Sequence, residues 1–432
     1  MRKESFIFSI GSSLLLLFVM ASNVKAQTSN NAGFESDLSE TLNQIGLPYL
    51  YENKGLIRIW ANAYTQSNSV PTEFSNAFIF PDFISEQMKT SAYERLKEKN
   101  RFGGEFNRGV ELTFSPDSTW KSEGKFLSFR YKSSTLFGAE FGEDLFKLIF
   151  SGNKQFQNAS ASLSETQLLF NAFETFEIGF LKTGSKSISS FSFGLVKGNQ
   201  YTSINLEEGS LFTSQNGDYL DLSWDGNYVQ SSGGNKLNNN PSVGASLNLK
   251  FVQQLGSKWI LRESIEDFGF TVFNSNTRTA KMDTAFRFTG IQLGSLFDIS
   301  DSTIIVGDTL EQKILGNDVR QTQMIALPVD IQVGLTRLFN HRLSVGLNVR
   351  YRYIPGFIPL TEASVSKSFG KNRSVRLMLS YGGFGGIQSG VSAVVFSNHH
   401  HSLRIGSFFN EGFISPRKLS GAGLQLNYVH HI

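Results

Sequence analysis

The strictest constraint in this chain is an unbroken two-residue period. Between Leu343 and Tyr353, the residues Leu343, Val345, Leu347, Val349, Tyr351 and Tyr353 fall on one side of an extended strand, while Ser344, Gly346, Asn348, Arg350 and Arg352 fall on the other. A strand that is apolar on one face and charged on the other needs a different medium on each side. The C-terminus repeats the pattern, with Leu424, Leu426, Tyr428, His430 and Ile432 set against Gln425 and Asn427. Strands of this kind cross a membrane only as a closed barrel, because an open edge in hydrocarbon leaves amides unsatisfied at several kcal/mol each.

The N-terminus says where such a barrel would go. Arg2 and Lys3 precede an apolar stretch from Phe6 to Met20, and Val24-Lys25-Ala26 supplies a small-residue cleavage site. The apolar stretch falls short of the ~20 residues a membrane helix needs, so residues 1–26 read as a signal peptide. No apolar run of helical-span length follows, and hydrophobicity is dispersed in short segments with 40 Phe, 12 Tyr and 40 Gly but only 9 Pro. Aromatics suit interfacial girdles and glycines suit turns. The expected location is the outer membrane, with its lipid and the barrel assembly machinery as partners. There is no Cys, which excludes a lipid-anchored N-terminal Cys, disulfides and thiol chemistry. Removal of Arg2, Lys3, Lys25 and Glu4 lowers the formal charge from +3 to +1, leaving no electrostatic case for nucleic acid.

Strands are expected at Leu56–Tyr64, Arg101–Phe114, Phe126–Ser133, Leu168–Phe180, Ile188–Val196, Tyr219–Val229, Val243–Phe251, Trp259–Phe273 and Thr284–Phe297, then at Ile325–Leu335, Leu343–Tyr353, Leu360–Phe369, Val375–Tyr381, Ile387–Val395, Leu403–Phe409 and the terminal run. Allowing for misread segments, this predicts an all-β, antiparallel transmembrane barrel of about fourteen strands over residues 55–432, expected to be monomeric. Residues 27–54 are polar and are expected to form a periplasmic or plug segment. Ser85–Asn100 reads as a helix capped by Ser85, with Met88, Ala92 and Leu96 in one row, and is expected to fill part of the lumen. Asp298–Gln323 is a long polar insertion of the kind that forms an extracellular loop or plug.

Motifs that suggest chemistry lack their partners. Asp267-Phe268-Gly269 stands without a phosphate loop or catalytic loop. The glycines Gly382, Gly383, Gly385, Gly386 and Gly390 have Gln388 where a dinucleotide fingerprint needs glycine, and they read as a turn. Among His399, His400 and His401 only the outer two share a strand face, and no carboxylate lies near them in sequence. All six histidines lie in the last quarter of the chain, away from any serine and acid arranged for hydrolysis. No catalytic residue, metal site or cofactor is expected. The residues singled out are the arginines Arg350, Arg352, Arg376 and Arg404, which alternation turns into the lumen with Glu105, Glu111 and Glu362 as candidate partners. They either brace a salt-bridged interior or form a cationic strip for anions.

Phe78–Phe83, Leu96 to Gly104, Ile265-Glu266-Asp267-Phe268-Gly269-Phe270, Phe288-Thr289-Gly290-Ile291 and the closing hairpins resemble a family of Bacteroidota outer-membrane β-barrels. That family is related to fatty-acid-transporter-like and type IX secretion-associated barrels. The resemblance implies a barrel but carries over no binding residue, and it places Asp267 and Gly269 under a strand or turn constraint. By analogy, it implies a channel or transporter for a hydrophobic or small amphipathic solute. The alternative is a non-transporting envelope scaffold for secretion or surface attachment.

Since the last strand must close the wall and set its apolar row in lipid, Leu426→Arg is expected to prevent assembly. Loss of the heat-modifiable band from outer-membrane fractions is the readout.

Overall fold

The computed structural model describes residues 55–80, 82–232, 242–289, 319–340, 342–369, 373–397 and 401–432. The expected signal peptide, the 27–54 segment and most of the 298–323 insertion lie outside the described residues. Nineteen strands, β1 to β19 in chain order, join one sheet. Fourteen of them close into an antiparallel barrel. The wall runs β1 (Gly55–Ser67), β2 (Asn100–Phe114), β3 (Lys125–Phe141), β5 (Thr166–Thr183), β6 (Ser187–Thr213), β8 (Ser242–Leu255) and β9 (Trp259–Phe273). It continues through β13 (Asp330–Asn340), β14 (Leu343–Arg352), β15 (Ile358–Phe369), β16 (Arg373–Gly383), β17 (Ile387–Ser397), β18 (His401–Phe408) and β19 (Ala422–His431). β19 then pairs with β1, from Leu56 opposite His431 to Thr65 opposite Ala422, so the ring has no edge.

The two faces separate sharply. Glu177 is 3% exposed and its neighbour Ile178 is 61% exposed; Arg376 is 6% exposed and Leu377 60%. Val345, Leu347 and Val349 all face outward, as the two-residue period predicts. At one end of the wall Arg337 lies over Trp259 and Phe339, 5.4 Å and 4.8 Å from the ring centres, and Lys367 lies 5.6 Å from the Phe369 ring. Amphipathic side chains and aromatics of this kind mark a membrane interface. The apolar band is interrupted where Arg108, Glu174 and Lys197 face outward, the last two 3.6 Å apart.

Most connections at that end are tight, such as 184–186 and 256–258, and both ends of the ring lie there. Short turns belong on the periplasmic side. The opposite end carries long connections holding α1 (Thr72–Ile79), α2 (Glu86–Tyr93), α4 (Glu143–Ser151), α5 (Glu411–Ile414) and strand β4 (Ala159–Ser162); α3 (Ser118–Ser122) lies in the β2–β3 connection at the other end.

Three expectations are corrected. The runs at Tyr219–Val229 and Thr284–Phe297 do contain strands, β7 (Leu220–Ser232) and β10 (Arg278–Phe288), but these stand outside the wall. The second half of β6 rises past the rim and pairs with β7, which pairs with β10. Alternation looks the same in a wall strand and in such an extension.

The helix begins at Ser85, whose Oγ accepts from the Met88 N–H at 3.3 Å, but it ends at Tyr93 and lies on the rim instead of in the lumen. It joins the tops of β1 and β2 and packs through Ala92 with Val70, Phe74 and Phe146.

The single strand expected at Ile325–Leu335 is two strands, β12 (Gln323–Ala326) and β13; the two-residue β11 (Val319–Arg320) precedes them. Pro328, which has no N–H to donate, stands in the gap. Parity changes across it: Met324 is 66% exposed while Ile325 and Leu327 are buried inside, although Val333 and Leu335 face out.

Facing sets the cost of charge. Val349→Lys places an ammonium in hydrocarbon and should destabilise by about 2–4 kcal/mol, whereas Asn348→Gln on the inner face should change stability by less than about 0.5 kcal/mol. Urea unfolding from bilayers measures both.

Candidate functional site

The inner face of the wall supplies three layers. At the short-turn end Leu56, Phe126, Leu181, Ile188, Val252, Ile260, Leu338 and Val429 meet as one buried apolar cluster drawn from strands around the ring. At the other end Leu136, Leu169, Phe173 and Val196, from the wall at β3, β5 and β6, meet Leu327, Ile354, Phe357 and Phe384. The last three belong to connections on the far side of the ring. Between these layers lies a cavity of about 260 Å³.

Its lining is charged. Arg58, Arg130, Lys132, Lys250, Arg262, Arg350, Arg352, Arg376 and Arg404 give nine cations, against the four carboxylates Glu105, Glu266, Asp330 and Glu362. Glu111, Glu177 and Asp267 stand just behind, buried and paired to lining cations. All four arginines singled out in the sequence therefore line the cavity. Arg350 reaches Asp330 at 2.7 Å and Glu105 at 2.8 Å. Arg352 reaches Asp330 at 2.9 Å, and Arg376 donates to Glu362 at 2.6 Å and to Ser364 Oγ at 3.0 Å. Arg404 is buried on β18. Of the three candidate acids, Glu105 and Glu362 serve these arginines. Glu111 instead lies 3.5 Å from Arg58 on the neighbouring strand, because that residue is its cross-strand partner.

Asp330 is the hub of the arginine layer. It opens β13 directly opposite Arg352 on β14 and Glu266 on β9, so strand register delivers the three to one height. A bulge in β9 adds a fourth. Between Phe268, opposite Leu247, and Ile265, opposite Leu249, both Glu266 and Asp267 answer the single residue Asn248. Asp267 takes a left-handed φ of 59° and donates its N–H to Asn248 Oδ1 at 2.8 Å. The extra residue lets two successive acids serve the lumen: Glu266 reaches Lys250 at 3.0 Å and Asp267 reaches Lys132 at 2.5 Å. Gly269 belongs to the same constraint, since a Cβ there would stand 2.0 Å from the Ala245 carbonyl oxygen. The structure thus gives Asp267 the backbone role read from sequence together with a buried charge that the sequence reading did not assign. Alternation showed polar inner positions at Lys250 and Asp330, but their pairing depends on strands that are distant in sequence.

On the outer face at the short-turn end, His401 Nδ1 lies 2.7 Å from Tyr428 Oη and 3.3 Å from His430 Nδ1. His399 and His400 fall outside the described residues. Among the described residues no group of three His, Cys, Asp or Glu is placed to hold a metal.

Comparison with known proteins gives one firm result. The profile of the Family of unknown function (DUF5723) matches residues 55–396. No curated protein matches the sequence. Among solved structures, the TodX deltaS2S3 mutant monoaromatic hydrocarbon channel is 10% identical with a TM-score of 0.42, covering 94% of each chain. A Pseudomonas aeruginosa FadL homologue is 9% identical with a TM-score of 0.39, covering 88% of this chain and 90% of that one. The translocator domain of the autotransporter NalP from Neisseria meningitidis is 7% identical with a TM-score of 0.34, covering 93% and 96%. Identity and score are low throughout, and the barrel rests on its own pairings.

Asp330→Ala removes the nearest acid common to Arg350 and Arg352 but leaves both within reach of Glu105, at 2.8 Å and 3.7 Å, and is expected to cost about 1–3 kcal/mol in urea unfolding from bilayers.

Proposed function

The chain belongs to this family of unknown function, so its role has to be read from its own lumen, and we propose that the protein is an outer-membrane channel or transporter, closed at rest, for a small amphipathic solute that carries negative charge. The observation that carries this reading is the cavity: nine lining cations against four lining carboxylates and three more just behind them, set between two apolar layers. An apolar layer on either side suits the body of such a solute, and the cationic excess suits its charged group. Fixed charge in a narrow, low-dielectric space selects by sign. The outer apolar band and the signal sequence support the outer membrane as its place. The reading is of passage without chemistry.

The ion-paired interior also favours a second reading. A rigid barrel in which most lumen cations are paired to carboxylates suits an envelope scaffold for secretion or surface attachment that passes nothing.

Planar-bilayer recording separates the two. The expected result is a mostly closed barrel whose openings prefer anions. That preference should fall between 0.1 M and 1 M salt, as the screening length drops from about 10 Å to about 3 Å. Silence under every gradient and voltage, together with no uptake of anionic amphiphiles into reconstituted liposomes, would support the scaffold.

A further inference from the structure

Half of the layer that closes the extracellular end is not part of the wall. Its core is Phe384, carried on the β16–β17 connection within Gly382-Gly383-Phe384-Gly385-Gly386. Gly382 and Gly383 have φ of 109° and 65°, values that L side chains rarely adopt. This is the glycine cluster that matches no nucleotide motif. The ring of Phe384 is 1% exposed and stands edge-on to Phe357 at 5.3 Å, inside the lumen.

Two glycines make room for it and for the neighbouring β14–β15 connection. Gly103 on β2 and Gly138 on β3 are directly opposite each other, and both are buried on the inner face. A Cβ on Gly103 would lie 2.2 Å from the Phe384 ring, and one on Gly138 would lie 2.5 Å from the Pro355 carbonyl oxygen and 2.7 Å from Ile354. The pair forms a bare shelf on one wall where connections from the opposite wall come to rest.

The connection is tied down by neutral hydrogen bonds. Gln66, at the top of β1, accepts from the Phe384 N–H at 3.0 Å and donates to the Gly382 carbonyl at 3.1 Å and to Gln388 Oε1. Gln388 in turn donates to the Ser420 carbonyl at 2.6 Å. Only Arg101, donating to the Gly385 carbonyl at 3.3 Å, is charged. Gln66 and Gln388 are buried, but their bonds are neutral, and exchanging them for water on opening costs less than separating the buried ion pairs below.

We propose that the Gly382–Gly386 connection is a removable stopper. Phe384 is its gating side chain, Gly103 is its seat and Gln66 is its latch. A solute reaches the cationic cavity when glycine torsions swing the ring off the shelf. This rests on the passage reading above and adds the residues that control access.

The absence of cysteine from the whole chain supplies the assay. Met378→Cys puts one thiol in the cavity lining, below the stopper. Its reaction with a charged, membrane-impermeant thiol reagent added to intact cells reports access, and bilayer conductance of the same proteins reports passage. Phe384→Ala, Gly103→Val and Gln66→Ala are each expected to speed labelling at least tenfold. Phe413→Ala, on the exposed rim and outside the apolar layer, should leave the rate unchanged. Heat-modifiable migration verifies folding, and Gln66→Ala, which leaves the apolar layer intact, serves if Phe384→Ala fails to assemble. Rates within twofold of the Met378→Cys parent in all three folded variants overturn the stopper. Faster labelling without conductance keeps the stopper and removes the passage reading. Altered conductance without faster labelling overturns the stopper and leaves passage standing.

Discussion

Everything in this molecule depends on the hydrogen-bonded seam between β1 and β19. In hydrocarbon no water is present to satisfy a bare strand edge, so a sheet of this size is viable there only as a ring. That single requirement fixes much else. Fourteen strands must tilt and stagger to close, half of each strand's residues must face inward, and the interior must be filled or lined. The seam joins residues near opposite ends of the chain, Leu56 and His431, so wall, lumen and closure are one cooperative unit.

Closure brings a second consequence. Inward positions from strands far apart in sequence converge in the lumen, and here they carry charge. Burying an ion costs several kcal/mol unless a partner and further hydrogen bonds compensate it. The protein meets this with shared acids: Asp330 serves two arginines, Glu177 serves Arg130 while accepting from Ser192 and Asn248, and Glu266 serves Lys250 and Arg130. Sharing leaves more cations than carboxylates around the cavity, and this gives the lumen its sign.

How much of this the sequence shows depends on the range of the determining interaction. Strand facing is local, since Arg350 and Val349 are told apart by parity alone, and the alternation read along β14, β16 and β19 corresponds to the observed inner and outer faces. The Ser85 cap is equally local. What lies beyond reach are features set by a distant partner. At the Asp267 bulge two residues answer the single residue Asn248 on another strand, whose Oδ1 accepts the Asp267 N–H. The folding of Phe384 into the lumen depends on Gly103 across the ring, and its own neighbourhood reads only as a turn. The broken strand at Pro328 was masked by apolar residues that keep their period while the backbone shifts under them.

That break has a consequence for how the chain can change over evolutionary time. Within a continuous wall strand the identity of each face is locked: one residue gained or lost in β14 would send Arg350 and Arg352 toward lipid and draw Val349 inside. At Leu327-Pro328-Val329 parity has already been reset, and the strands on either side keep their own facing. Length variation is therefore far less costly here than elsewhere in the wall. Among relatives, insertions and deletions should collect at this joint, so that the extension beyond the rim can diverge while the charged lumen below it is inherited intact.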